Sequence, residues 1–288
     1  MTKPDFATTI LSGNEKTAYR DPACIYADGA YHLFFTLSVL DGEYMYNSIA
    51  TAESADLVHW GEVREITERD RNLNFSSPGS IIYYKGEYYV SICSYPLPRP
   101  YKEMRCATED ARLYFIKTKD FKSYTRPEMI MAKGDTPAER LMRMIDSYVF
   151  EDKDESGLFH LFFKQNGVSH SISRDLRNWE YLGRIDGGEN ACVILHDGCY
   201  YLIHSPADGI GIKRSRDLAL WEDVGVFLPD ERPDFATGRL TAAFAMPSPR
   251  MGEYAVFLHG SKKDAALEIH GEASLAITFT KDFKEFYP

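Results

Sequence analysis

The chain has 288 residues, of which 44% are hydrophobic and 14% aromatic, and its formal net charge is -10. This composition is typical of a folded protein, and the abundant aromatic residues favour β-strands. The negative charge argues against nucleic acid as a partner, because nucleic-acid binding depends on neutralising phosphates with lysine and arginine. No apolar run approaches the length of about 20 residues that spans a membrane. The opening MTKPDFATTI lacks a basic and apolar leader, which predicts a soluble cytoplasmic protein, or a secreted or periplasmic one if a leader was trimmed.

A seven-residue segment recurs five times along the chain. The strong copies read SADLVHW, SRDLRNW and SRDLALW, and the weaker copies read TKDFKSY and TKDFKEF. Serine or threonine and aspartate cap turns through their side-chain oxygens, the leucine packs beneath, and the aromatic residue covers the edge of a small sheet. Each copy therefore predicts the same turn at the same place in a repeated unit.

Each copy follows a glycine that begins an aromatic, strand-like run, and another apolar run precedes that glycine. These glycines are Gly29, Gly86, Gly157, Gly198 and Gly252. A polar turn that ends in glycine between two such runs predicts a β-hairpin, so each unit is read as four short antiparallel strands. Five units predict an all-β fold, a single five-bladed β-propeller that spans residues 1–288 as one domain. A β-sandwich in which the turn pattern recurs by chance is the alternative.

Counting back from the hairpin glycines gives the residue that leads each innermost strand. These residues are Asp21, Ser77, Asp146, Glu189 and Arg239. The innermost strands of a propeller line its central channel and run in the same direction, so the five residues are predicted to meet at one mouth of the channel. Crowded carboxyl groups push one another's pKa values apart, which leaves one as a base and another as an acid. Glycoside hydrolysis needs this pair; a set of solvated turn residues is the alternative.

Around these positions the chain resembles glycoside hydrolase family 43, inverting enzymes on a five-bladed propeller that act on arabinofuranosides and xylosides. The segments that carry the resemblance are RDPACIYADGAYHLFF, IDSYVFEDKDESG and GENACVILHDGCYYLIHS. The resemblance implies that Asp21 is the general base, that Asp146 orients the acid and adjusts its pKa, and that Glu189 is the general acid. The chain departs from the family pattern after Glu189, where Asn190 and Ala191 replace the common Gly-Pro. It also departs in blade two, where Ser77–Gly79 replaces the common Ala-Pro-Asp.

Five further residues are assigned to the site. Arg239 is predicted to hold a substrate hydroxyl or to adjust a neighbouring carboxylate, and Ser77 to contact the substrate. Phe35 and Phe75 are candidates for stacking on a sugar face, with core packing as the alternative. His259 matches a blade-five histidine that many family members place near a metal or water on the axis. The resemblance therefore implies either a structural calcium beside His259 or a hydrogen-bonded core histidine.

The resulting hypothesis is an inverting exo-glycosidase that removes α-L-arabinofuranosyl or β-D-xylosyl units from an oligosaccharide and requires no cofactor. One alternative is a propeller that binds glycans without cleaving them, which the missing Gly-Pro after Glu189 keeps open. Two related propeller enzymes, a retaining fructan-type hydrolase and a glycoside phosphorylase, are further alternatives. The loop YPLPRPYKEMR at 95–105 is predicted either to wall the sugar pocket or to be an exposed connection.

Overall fold

The computed structural model describes residues 6–250, 252–263 and 271–288, and its regular structure is almost entirely β-strand. Within these residues there is no α-helix, and the two helical segments are single 3₁₀ turns, Ala138–Arg140 and Asp234–Ala236. None of the helices in this part of the chain is long and apolar enough to cross a membrane. The all-β prediction is therefore confirmed.

The strands form five antiparallel sheets, which are the blades of a five-bladed propeller. The first strand in the chain is β1 (Thr8–Leu11). Blade one contains β2 (Thr17–Ala27), β3 (Ala30–Asp41), β4 (Tyr44–Ser54) and β5 (Arg64–Glu65). Blade two contains β6 (Phe75–Ser76), β7 (Ile81–Tyr84), β8 (Glu87–Ser94), β9 (Leu113–Thr118) and β10 (Glu128–Met129).

The remaining strands complete the ring. Blade three contains β11 (Ile145–Glu151), β12 (Phe159–Lys164), β13 (Val168–Ser173) and β14 (Glu180–Ile185). Blade four contains β15 (Glu189–His196), β16 (Cys199–Ser205), β17 (Ile210–Ser215) and β18 (Glu222–Phe227). Blade five contains β19 (Arg239–Pro247), β20 (Tyr254–Ser261), β21 (Ser274–Thr280) and, as its outer strand, β1.

The outer strand of blade five differs from the prediction. The sequence pattern predicts that every blade takes its fourth strand from the residues after the repeated segment, but β1 pairs antiparallel with β21 instead. The two ends of the described chain therefore share one sheet, which closes the ring with backbone hydrogen bonds. The five predicted hairpins are confirmed, and their glycines all have φ between 69° and 86°. This left-handed conformation costs glycine little because it has no Cβ atom.

The repeated seven-residue segment folds as the sequence predicts. In the first copy, Ser54 Oγ accepts hydrogen bonds from the backbone N–H groups of Asp56 and Leu57, at 3.2 and 3.0 Å. Asp56 Oδ1 in turn accepts from the N–H groups of Val58 and His59, at 2.9 and 2.8 Å. The sequence did not reveal that the buried fourth residue has positive φ, which is 66° at Leu57 and between 54° and 62° in the other four copies.

The repeated segments seal the seams between blades, because each one places its buried residue against the preceding blade. Phe121 of blade two stacks on His32 of blade one, with ring centroids 3.8 Å apart. Phe283 of blade five stacks on Tyr201 of blade four at 5.6 Å. The same segment therefore recurs five times because a five-bladed ring has five seams to fill.

The innermost strand of blade two is divided into β6 and β7 at Gly79. A Cβ atom on Gly79 would lie only 1.6 Å from the carbonyl oxygen of Ser147, so the backbones of blades two and three touch there. A larger residue at this position would push the two blades apart. The aspartate that family 43 commonly carries at this place has no room in this chain.

Candidate active site

The five innermost strands bend sharply at the same mouth of the central channel. Each bend contains one residue other than glycine with φ between 49° and 53°, at positions Asp21, Ser77, Asp146, Asn190 and Ala242. This region is uncommon for such residues, although aspartate and asparagine tolerate it better than others. The strand pairing shifts register at four of the bends, and blade two is interrupted at the fifth. The bends turn these five residues toward the axis.

The shared bend corrects the alignment made from the sequence. Asn190 and Ala242, not Glu189 and Arg239, are the structural equivalents of Asp21 and Asp146. Counting from the hairpin glycines missed this difference because the spacing varies: the bend residue lies 8 residues before the glycine in blades one and four, and 9, 11 and 10 residues before it in blades two, three and five. Glu189 and Arg239 therefore lie nearer the rim, with side chains 37% and 41% exposed, whereas the Asp21 side chain is 6% exposed.

Below the bends the channel is narrow. Its lining includes Asp21, Ser77, Asp146 and Asn190, together with Cys192 and Phe244 of blades four and five. The free volume is about 20 Å³, which is room for roughly one water molecule. The axis below the mouth is therefore a narrow funnel.

Asp21 is held as a carboxylate at the bottom of the mouth. Its Oδ2 accepts hydrogen bonds from Thr36 Oγ1 at 2.9 Å and Ser77 Oγ at 3.3 Å. Arg20 Nη2 lies 3.7 Å from the same oxygen. Burial by itself would raise the pKa of Asp21, but Arg20, His259 and the two hydroxyls together outweigh it and place the pKa below its ordinary value. Asp21 is therefore ionised near neutral pH, as a general base must be.

Asp146 has the opposite electrostatic character. Burial, together with repulsion from Glu189 and then Asp21, raises the pKa of Asp146 to about 7. The hydroxyl of Ser77 and the backbone N–H of Asn190 oppose this shift without cancelling it. Asp146 therefore retains a proton near neutral pH, beside an ionised Asp21.

The raised pKa of Asp146 has a measurable consequence for stability. Its pKa is about 7 in the folded chain against an ordinary value of 3.8, so the folded state binds more protons in this window. The stability that comes from protonated Asp146 is complete below pH about 4 and is lost as the pH rises through about 7. Asp146→Asn removes the ionisable group, and asparagine tolerates the backbone conformation of this position.

The Asp146→Asn protein is therefore expected to gain melting temperature relative to the wild type as the pH rises. Thermal unfolding of both proteins at pH 5 and pH 8 measures this difference, which should be larger at pH 8. A difference in Tm that is equal at the two pH values, or larger at pH 5, would contradict the assignment of the raised pKa.

Glu189 and Arg239 occupy the rim above the buried Asp21 and Asp146. Arg239 Nη2 lies 4.0 Å from Glu189 Oε2 and donates a hydrogen bond to the carbonyl oxygen of Pro206 at 3.2 Å. Buried Arg239 Nε has no hydrogen-bond partner among the described residues. The rim thus presents a carboxyl group and a guanidinium donor side by side, in reach of a molecule that enters the mouth.

His259 supports the backbone of Asp21. Its Nδ1 accepts a hydrogen bond from the Asp21 backbone N–H at 3.0 Å. Burial lowers the pKa of His259 to about 3, so the ring is neutral and this nitrogen keeps its lone pair. Calcium needs several oxygen ligands, and the described residues contain no group of three or more histidine, cysteine, aspartate or glutamate side chains placed to hold a metal. The contact that the structure shows for His259 is thus that of a hydrogen-bonded core histidine, and a calcium ion beside it stays a prediction.

Both phenylalanines predicted to stack on a sugar lie in the core. Phe35 is completely buried and packs edge-on against Tyr19, with ring centroids 5.8 Å apart. Phe75 is buried and packs edge-on against Tyr114 at 5.3 Å. The sugar-stacking prediction is wrong for Phe35 and Phe75, because both rings are covered by their own blades.

The loop 95–105 is packed against blade one rather than exposed. The backbone N–H of Tyr101 donates to the carbonyl oxygen of Glu43 at 2.8 Å, and that of Leu97 donates to the carbonyl oxygen of Arg71 at 2.8 Å. Leu97 and Tyr101 are buried in one cluster with Met45. The β3–β4 hairpin under this loop extends past Thr36, and so past Asp21, on the mouth side of the ring. Loop and hairpin together form a wall on the blade-one and blade-two side of the mouth.

Sequence reasoning missed three residues that shape the site. Arg20 and Thr36 set the charge of Asp21, and Asn190 occupies the axial position assigned to Glu189. The position of the bend in each innermost strand was the missing information, since it cannot be read from hydrophobic alternation. The only signal in the sequence for the axial positions was the polar residue that recurs at the start of each innermost strand.

Comparison with solved structures identifies proteins of the same architecture. BT0996, solved in a complex with RGII, superposes with a TM-score of 0.72 at 15% identity, over 96% of this chain and 91% of that protein. A thermostable family-43 glycoside hydrolase superposes with a TM-score of 0.62 at 17% identity, over 95% and 94%. The chain has the fold of a family-43 glycoside hydrolase.

This family-43 fold also includes the GH43_1 enzyme from Xanthomonas citri complexed with xylotriose. That structure matches with a TM-score of 0.62 at 14% identity, over 94% of this chain and 90% of that enzyme. No protein-family model matches the chain, and no curated protein matches its sequence. The likeness is thus carried by the arrangement of the blades and covers almost the whole length of both proteins.

Proposed function

We propose that the chain is a member of glycoside hydrolase family 43, an inverting exo-glycosidase that removes α-L-arabinofuranosyl or β-D-xylosyl units from an oligosaccharide. The observation that carries the proposal is the difference between two carboxyl sites at one mouth. Asp21 is held ionised, and Asp146, whose pKa burial and the neighbouring Glu189 raise to about 7, retains a proton near neutral pH. A base and an acid that face the same funnel are the two groups that hydrolysis of a glycoside requires.

The reaction then proceeds in one displacement. Asp21 takes a proton from a water molecule while the oxygen of that water bonds to the anomeric carbon. Glu189 gives a proton to the departing glycosidic oxygen as the bond from that oxygen to the anomeric carbon breaks. Because Glu189 is more exposed than Asp146, Glu189 is the group that reaches the departing oxygen, and Asp146 stays below it. Arg239 is placed to donate to a sugar hydroxyl or to Glu189.

Two features support action at a chain end. The wall formed by loop 95–105 and the β3–β4 hairpin rises on one side of the mouth. The space below the bends has room for roughly one water molecule, so a sugar would be held above it, at the mouth. The complex of the Xanthomonas citri enzyme with xylotriose agrees with a xylose-based substrate.

A panel of 4-nitrophenyl glycosides tests this proposal. Release of 4-nitrophenol from the α-L-arabinofuranoside or the β-D-xyloside is expected, and NMR should show that the sugar first appears with inverted anomeric configuration. An Asp21→Asn protein is the control for contaminating activity. Binding without release would favour a glycan-binding propeller, first-formed product with retained configuration would favour a retaining hydrolase, and release only with added phosphate would favour a phosphorylase.

A further inference from the structure

His204 lies on β16, the second strand of blade four, beside the bulge that carries Glu189. Its Nδ1 accepts a hydrogen bond from the backbone N–H of Gly188 at 3.1 Å. A Cβ atom on Gly188 would lie 1.7 Å from the carbonyl oxygen of Ser205, so the backbone there rests directly on β16. The residue before Glu189 is thus fixed by an imidazole on one side and by a neighbouring strand on the other.

The residue after Glu189 is held by the same strand. Ser205 Oγ donates a hydrogen bond to Asn190 Oδ1 at 3.2 Å and accepts one from the backbone N–H of Ala242 at 2.7 Å. Among the described residues, the Glu189 carboxylate accepts no hydrogen bond, and Arg239 at 4.0 Å is its ion-pair partner. The direction of the Glu189 side chain is therefore set mainly by the backbone that His204 and Ser205 hold.

The imidazole of His204 is itself immobilised. It lies over Gly211 of β17, where a Cβ atom would come within 2.5 Å of His204 Cε1. Four charged groups face the ring, Lys213, Lys164, Asp223 and Asp186. Burial, followed by Lys213, lowers the pKa of His204 to about 4. Near neutral pH the ring is uncharged, so Nδ1 has the lone pair that the Gly188 N–H needs.

We propose that His204 is a positioning residue for the general acid: its Nδ1 fixes the Gly188 backbone so that the Glu189 carboxyl group points at the departing oxygen. This inference rests on the proposed role of Glu189. A misplaced acid harms only reactions that need a proton at the leaving group, because an acidic phenol departs without one. That selectivity separates a positioning role from a purely structural one.

The test compares His204→Leu with the wild type on two aryl xylosides or arabinofuranosides, whichever sugar is accepted. The kcat for the phenyl glycoside is expected to fall by about 10- to 100-fold, since a displacement of about 1 Å at a reacting group costs this much. The kcat for the 2,4-dinitrophenyl glycoside is expected to change by less than about threefold, because its leaving group needs no proton. His204→Asn should restore most of the phenyl-glycoside activity, since the asparagine Oδ1 can accept from Gly188 in place of Nδ1.

Two controls make the result decisive. His170→Leu changes another buried histidine, which bonds to His160 at 2.8 Å in blade three, and should lower Tm without altering the ratio of the two rates. Glu189→Gln, like His204→Leu, should lower kcat mainly on the phenyl glycoside, and by a larger factor. If His204→Leu lowers kcat equally on both substrates while Glu189→Gln lowers it mainly on the phenyl glycoside, the positioning role alone is overturned. If Glu189→Gln lowers kcat equally on both substrates, the acid assignment is overturned and this inference with it.

A second variant covers the case in which His204→Leu does not fold. Gly211→Ala keeps the imidazole but displaces it, because the new methyl group would lie 2.5 Å from His204 Cε1. It is expected to lower the rate on the phenyl glycoside and spare the dinitrophenyl glycoside. A folded Gly211→Ala protein with an unchanged ratio of rates would contradict the proposal.

Discussion

An Asp21→Asn protein is expected to fold normally and to lose about 10²- to 10⁴-fold in kcat, the contribution that a general base makes. Asparagine keeps the shape of the side chain and tolerates the left-handed backbone at this position. It cannot take a proton from water, and it removes the negative charge that Arg20, Thr36 and Ser77 stabilise. Steady-state kinetics on the best substrate of the aryl glycoside panel measure the loss, and circular dichroism checks the fold.

Asp28→Asn is the matched control for this experiment. Asp28 also has a left-handed backbone, with φ of 51°, but it is exposed in the β2–β3 turn on the far side of blade one. Its substitution should leave kcat unchanged. Near-normal kcat in Asp21→Asn would contradict the assignment of Asp21 as the general base, however well the fold matches.

A Glu189→Gln protein is expected to lose about 10²- to 10⁴-fold in kcat on phenyl glycosides, because glutamine cannot donate a proton to the departing oxygen. On 2,4-dinitrophenyl glycosides the loss should be small. The measurement is a plot of log kcat against the pKa of the leaving phenol, which should become much steeper in the variant.

The exposed Glu180, on the outer strand β14 of blade three, provides a control for the loss of one negative charge away from the mouth. Glu180→Gln should follow the wild-type line. If Glu189→Gln also follows that line, the acid is another group, and Asp146, whose pKa is about 7, becomes the next candidate.

The blades and their order could be predicted from the sequence, because the hairpin glycines and the seven-residue segment are local signals. Gly157 and Ser173, for example, mark the turn after the first strand of blade three and the segment after its third. The fourth strand of blade five could not be predicted this way, since β1 pairs with β21, a contact between residues more than 260 positions apart. No local pattern encodes such a pairing.

The site was predictable in part for a related reason. Asp21, Ser77 and Asp146 were assigned to the axis and lie there, because in blades one to three the strand heads were placed correctly. In blades four and five the count reached Glu189 and Arg239, while the bends place Asn190 and Ala242 on the axis. Phe35 and Phe75 show a further limit, since an aromatic residue beside a site residue has the same sequence signature whether it faces the funnel or the core.

The pairing of β1 with β21 also determines when the protein can first become active. The backbone of Asp21 is fixed by His259, 238 residues further along the chain and in the last blade. A growing polypeptide therefore contains all three carboxyl groups well before it contains the residue that fixes the base. Joining such distant segments is slow compared with forming local hairpins. The proposed hydrolytic activity should thus be the last property that a newly made molecule acquires, when β1 and β21 meet in one sheet.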